Sequence, residues 1–129
     1  MSKEPHANLS RRERQIMDVI YTCGSATVQD VVDQLSDPPS YSAVRAMLRL
    51  LEEKGHLQHK QDGPRYVYQP VVPREQARES AMKQMLRTFF DGSATQAVAT
   101  LLDVSGSKIS REELDRLAEL IDQTRKEGR

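Results

Sequence analysis

One cysteine, Cys23, stands in a chain of 129 residues, so no disulfide can close within it. A reducing cytoplasm is the simplest home for such a chain. No apolar run approaches the roughly 20 residues a membrane helix needs, and no apolar segment of the signal-peptide type opens the sequence. A cytoplasmic protein with no membrane insertion is therefore expected. Excess charge of one sign is missing as well. Lysine and arginine total 19, aspartate and glutamate 19, and a division after Val72 leaves nine against nine, then ten against ten. Net charge gives no support to nucleic-acid binding, and any basic patch has to arise by placement. The chain has no Gly-x-Ser-x-Gly elbow, no Walker loop, no zincin helix and no dinucleotide fingerprint, so an enzyme is not expected. His56 and His59 lie three apart without a cysteine or carboxylate at ligand spacing, and His6 stands alone. No metal site and no cofactor are expected. Repeats and low-complexity tracts are absent too.

What the chain does contain is concentrated between residues 40 and 69. Val44, Met47, Leu48 and Leu51 recur at i, i+3, i+4 and i+7, one face of an α-helix. Turning away from that stripe brings up Ser42, Arg45, Ala46 and Arg49, with Ser40 and Tyr41 at the helix start. Small residues let a backbone approach the floor of a major groove, and arginine can offer paired donors to guanine. Gly55 supplies the stop. Two β-like runs, 57–61 and 65–69, follow, joined by Asp62-Gly63-Pro64 and carrying Lys60 and Arg65 on their arms. A helix (42–54) followed at once by a basic hairpin is the pattern of a winged helix.

The flanking segments complete an α-α-α-β-β order. Ser10 and Glu13 form a capping box ahead of Ile16, Met17, Ile20 and Tyr21, and Gly24 closes that helix. Thr27 with Asp30 opens a second helix that buries Val28, Val31, Val32 and Leu35 before Asp37-Pro38-Pro39 breaks it. Val71, Val72 and Pro73 mark a seam. Beyond it three helices are expected, at 74–90, after Ser93, and after a second capping box at Ser110 and Glu113, with a break at Ser105-Gly106-Ser107. The ends, 1–8 and 124–129, are expected to fray. The expected fold is mostly α with a small β-wing (α+β): a winged helix-turn-helix DNA-binding domain over 1–72 and a helical dimerisation region over 73–129.

About 50 residues in three helices rarely make a stable core alone. A second copy is the economical cover for Met82, Met85, Leu86, Phe89 and Phe90, for Val98, Leu101 and Leu102, and for Leu114, Leu117 and Ile121, with Leu120 adding area. A two-fold homodimer also suits a DNA reader, because paired half-sites mirror its symmetry.

The run from residue 40 through Lys54-Gly55-His56-Leu57, Asp62-Gly63 and Tyr66-Val67-Tyr68-Gln69-Pro70 resembles the penicillinase-repressor family of bacterial regulators, the BlaI/MecI/CopY group. Leu9-Ser10 with Glu13 and Met17, and Ser110-x-x-Glu113-Leu114, agree with it, so the resemblance covers residues 9 to about 123. It implies a dimeric repressor that binds short inverted repeats at promoters of resistance or stress genes. It also implies release through a membrane sensor protease that leads to cleavage in the dimerisation region. Two departures qualify this. Staphylococcal members are cut at an Asn-Phe pair shortly before the last helix, and the corresponding 99–104 segment here has neither residue. The copper-responsive branch carries a cysteine-rich C-terminal hook, and no cysteine or histidine follows His59.

Rival readings stay open on the residues alone. Arg45 and Arg49 can line a solvated face, with Arg49 paired to Glu52 or Glu53 for about 0.3 kcal/mol. Tyr41 can pack on the core, and Ser40 and Ser42 can be plain helix caps. Lys60 and Arg65 are expected to position phosphates, since a hairpin tip has little core role. Arg11, with Arg12 and Arg14, sits where the helix dipole disfavours a cation, which fits a phosphate partner or a merely solvated end. Cys23 is expected to be a small buried hydrophobe, and the methionines core packing. At the level of function, the rivals are a winged-helix adaptor that binds protein, and a repressor released by a small ligand.

Overall fold

The structure, a computed structural model, describes residues 8–128. His6 and the expected fraying of 1–7 lie outside them, as does Arg129. Helix α1 is Arg11–Cys23, α2 Val28–Gln34 and α3 Tyr41–Glu53. Strands β1 (Leu57–Asp62) and β2 (Arg65–Pro70) follow, then α4 (Arg74–Phe90), α5 (Ala94–Ser105), a 3₁₀ turn at Gly106–Lys108, and α6 (Arg111–Lys126). The order is that of a winged helix-turn-helix followed by three helices. Two compact units meet between Met82 and Lys83, inside α4.

Local chemistry explains where the first unit's elements start and stop. Both capping boxes form: Ser10 with Glu13 on α1 and Thr27 with Asp30 on α2. Each satisfies two amides that a helix start leaves open. Helix α3 ends on Gly55, whose φ of +88° suits a residue without a side chain. There the His56 amide donates to Leu51 O and the Gly55 amide to Glu52 O, which is a Schellman closure. In the hairpin Asp62 pairs with Arg65, so the strands run one residue further than the sequence indicates and the turn shrinks to Gly63-Pro64. Gly63 takes φ +63° at the first central position, as a primed hairpin turn requires.

The core of this unit is the α1 stripe (Ile16, Met17, Ile20), Val28 and Val31 of α2, the α3 stripe (Val44, Leu48, Leu51), and Leu57 and Tyr68 of the hairpin. Val32 and Met47 pack at its margin. A link invisible in the periodicity completes it: Ala26 exchanges two backbone hydrogen bonds with Tyr68, at 2.9 and 2.8 Å, so the α1–α2 loop adds a third edge to the hairpin. No buried side-chain polar atom among the described residues lacks a partner. Leu48 has no exposed surface. Leu48→Ala is expected to destabilise the unit by about 2–5 kcal/mol, seen as a lower urea midpoint at unchanged slope.

Charge also ties α1 to α3. Glu13, 7% exposed, accepts a 2.9 Å hydrogen bond from Lys54 Nζ while its other oxygen accepts from the Ser10 amide. The Ser10 amide first, and Lys54 second, hold its carboxyl below the ordinary value of 4.5. A carboxyl with a depressed folded-state pKa stabilises fully above its unfolded value and loses that contribution as pH falls through the folded one. Acid melts should therefore show wild type losing stability below about pH 4.5 more steeply than Glu13→Gln. At neutral pH, Glu13→Ala is expected to cost about 1–2 kcal/mol. Equal acid slopes for wild type and Glu13→Gln would remove Glu13 as the cause.

The second unit is built by the same local rules. Ser93 and Ser110 cap α5 and α6 through the Gln96 and Glu113 amides. At α6 only the serine arm of the expected box forms. Residues 124–126 are helical rather than frayed, with Thr124 Oγ1 donating to Leu120 O at 2.9 Å. No residue from 69 to 128 is buried. Met82 and Met85 are about half exposed, so neither is packed into a core among the described residues. Cys23 corrects a second expectation. It continues the α1 stripe by spacing, but it lies in the final turn beyond the core and is exposed. No helix among the described residues is long and apolar enough to cross a membrane.

Candidate nucleic-acid interface

Helix α3 lays its apolar stripe on the core, and this alone turns the opposite face outward. Ser40 Oγ accepts from the Ala43 amide at 3.1 Å, so its first role is the N-cap. Tyr41 is half exposed rather than packed on the core. Ser42, Arg45, Ala46 and Arg49 are exposed and line one shallow groove of about 280 Å³. A larger depression of about 530 Å³ lies between the start of α2, the start of α3 and the hairpin. Thr27, Gln29, Tyr41, Gln61, Pro64, Arg65 and Tyr66 are on its wall, and Arg45 lines both hollows. Arg45 is thus the pivot between helix and wing.

Strand register sorts the wing. His59 opposes Tyr68 and Gln61 opposes Tyr66, so these four share the face turned to the core and α3. Lys60, opposite Val67, and Arg65, opposite Asp62, share the other. Lys60 is exposed and forms no ion pair among the described residues. Arg65 meets Asp62 at 3.4 Å with both side chains about two-thirds exposed, an ion pair weak enough to exchange for a phosphate. Arg65 also helps hold the Asp30 carboxyl below its usual range, after the Thr27 amide and hydroxyl. Arg11 is exposed on the first turn of α1 and lines neither hollow. The neighbouring Arg12 donates to the Asp37 carbonyl at 3.2 Å.

The electrostatics converge on Tyr68. Burial pushes its hydroxyl up, Glu52 and Tyr66 push the same way, and Arg45 and Arg49 pull it down. Both arginines and Glu52 therefore lie within reach of one wing tyrosine. Arg49 does not pair with Glu52 or Glu53, and neither arginine has an ion-pair partner among the described residues. Glu52 is instead held by His59, whose Nδ1 lies 2.7 Å from both carboxylate oxygens. His59 stacks on Tyr66, with centroids 4.1 Å apart and planes 12° from parallel. The sequence reading missed this cluster. Alternation of His59 with Gln61 and of Tyr66 with Tyr68 signals a shared inward face, but the Glu52 partner is not legible locally. Among the described residues no group of histidine, cysteine and carboxylates is placed to hold a metal ion.

Three helices, a two-stranded wing and an exposed arginine face on the third helix define a winged helix-turn-helix protein. The chain belongs to the penicillinase repressor family, whose profile matches residues 9–123. The penicillinase repressor of Bacillus licheniformis is 27% identical over 125 residues, covering 95% of this chain and 94% of that one. Among solved structures, the DNA binding domain of the repressor BlaI is similar at 32% identity, over 57% of this chain and 89% of its own, with a TM-score of 0.47. The CopR repressor matches at 29% identity over 51% of this chain and 99% of its own, with a TM-score of 0.44.

Proposed function

We propose that this chain is a transcriptional repressor that binds an inverted-repeat DNA operator as a homodimer. The observation that carries the DNA contact is the outward face of α3, where Arg45 and Arg49 stand exposed and without ion-pair partners among the described residues, beside a wing that presents Lys60. In this reading α3 enters the major groove, Arg45 and Arg49 meet base edges, and Ser42 and Ala46 allow close approach. Ser40, Tyr41, Lys60, Arg65 and Arg11 meet sugar and phosphate, which positions the reader without specifying sequence. Residues 1–72 form the reader and 73–129 the assembly region.

The homodimer is supported by surface that a lone chain leaves in water. Phe89 is 75% exposed, Ile121 55% and Leu101 54%, and large apolar side chains left in water are what a partner surface covers. The genes controlled are of the resistance or stress kind that the resemblance implies, and an upstream signal releases the operator. Where that signal ends in proteolysis, no cleavage bond is carried over to this chain, because its 99–104 segment has neither asparagine nor phenylalanine. The membrane sensor protease is a partner of this same reading.

Selection of random duplex DNA by the purified protein, with the winners' affinity measured across salt, tests the whole reading. An inverted repeat bound with a steep negative log–log salt slope is the expected result. No enrichment, with weak binding even at low salt, would move the assignment to a protein-binding adaptor.

A further inference from the structure

The contact between His59 and Glu52 joins the wing to the recognition helix, seven residues apart in sequence. Its geometry is demanding. One imidazole nitrogen sits 2.7 Å from both oxygens of Glu52, each side chain keeps only about 30% of its surface, and the ring lies flat on Tyr66 with Tyr68 tilted against it at 5.8 Å. Glu52 is also the i+3 neighbour of Arg49 on the helix surface, where an acid and an arginine ordinarily pair. In this structure they do not. The carboxylate that would capture a base-facing arginine is occupied from the wing side.

We propose that His59 is a positioning residue for DNA recognition: it sequesters Glu52 and keeps Arg49 free to meet bases. The inference rests on the DNA-binding function proposed above. The short contact to both Glu52 oxygens and the stacking on Tyr66 fix the ring, and the ring in turn holds Glu52 towards the wing. The groups that face the imidazole are Glu52 from α3 and Tyr66 and Tyr68 from β2. Arg45 and Arg49 act on the same cluster through Tyr68. Removal of His59 leaves Glu52 without its partner and beside Arg49, and the arginine then closes on it rather than on DNA. Glu53, at i+4 from Arg49, forms no hydrogen bond or ion pair with His59 among the described residues and serves as the control position.

The test measures operator affinity by fluorescence anisotropy for wild type, His59→Ala, Glu52→Gln, the His59→Ala/Glu52→Gln pair and Glu53→Gln. Melting curves run alongside confirm that each variant folds. His59→Ala is expected to bind about tenfold more weakly, the scale of one good base contact. The double variant is expected to return to within about twofold of Glu52→Gln, and Glu53→Gln in place of Glu52→Gln is expected not to rescue. A histidine that merely packs the wing predicts no rescue, so a double variant as weak as His59→Ala overturns the proposal. A second variant keeps the test open if His59→Ala does not fold. His59→Gln retains a side-chain donor for Glu52 and is expected to bind within about threefold of wild type. A loss of about tenfold or more in folded His59→Gln overturns the proposal as well. Wild-type protein that binds no duplex at all defeats the DNA-binding function itself, and this inference with it. Tight wild-type binding without rescue defeats this inference alone.

Discussion

Arg45→Ala is expected to weaken operator binding by about 1–3 kcal/mol, or roughly 5- to 150-fold, and to relax base preference at the position it contacts. The magnitude follows from placement. Arg45 lines the groove on the outer face of α3 and also the hollow between that helix and the wing. It carries no ion-pair partner among the described residues that would have to be broken before it meets a base edge. Lys60→Ala should behave differently. Lys60 is exposed on the wing face turned away from the core, so its loss should weaken every duplex alike. It should also reduce the log–log salt slope by about one. Titrations of both variants on the selected operator and on scrambled duplex, each at several salt concentrations, separate the roles. Identical, sequence-independent losses for the two would end the division between a base reader and a phosphate anchor.

A larger effect is expected from the other end of the chain. Phe89→Asp combined with Ile121→Asp places charge where the proposed assembly region exposes most of two large apolar side chains. A charge buried without a partner at an interface opposes association by several kcal/mol. Sedimentation should show one chain in place of two. Affinity for the full inverted repeat should fall by on the order of a thousandfold, with the salt slope about halved, because only one reader with half the phosphate contacts remains. The reader's own core holds no residue beyond Tyr68, so its melting should be spared. A variant that sediments as a single chain yet binds the operator as tightly as wild type would remove the dimer from the mechanism.

Much of the fold was legible because the decisive chemistry is local. Ser10-Glu13 and Thr27-Asp30 satisfy helix starts within one turn, and both boxes form. The 44, 47, 48, 51 spacing chose the buried face of α3, and burial of Val44, Leu48 and Leu51 followed it. Where local rules compete with a chain end, they did less well. The α1 stripe extrapolates to Cys23, but a helix's final turn outruns a core this small, and the residue is exposed. At α6 the Ser110 and Glu113 pattern is present and only one of its two bonds forms. The candidate interface was legible in its outward arginines and its wing, since an amphipathic helix that buries one face must present the other.

The amino-acid sequence by itself determined the element order, the caps and turns, the buried stripe of the reader and the identity of the residues on its outer face. These depend on interactions spanning a few residues, whose geometry is the same in any protein. Only the tertiary structure decided which distant groups meet: Ala26 with Tyr68, Glu13 with Lys54, the Tyr21 hydroxyl with the Val72 carbonyl at 2.9 Å, and His59 with Glu52. Such pairs are set by how the elements stack, and a one-residue slip of the hairpin would turn His59 to the opposite face of the wing. The freedom of Arg49 hangs on that register. Packing decided it, because the nearest acid along the helix is claimed by a histidine that folding brings from the next strand.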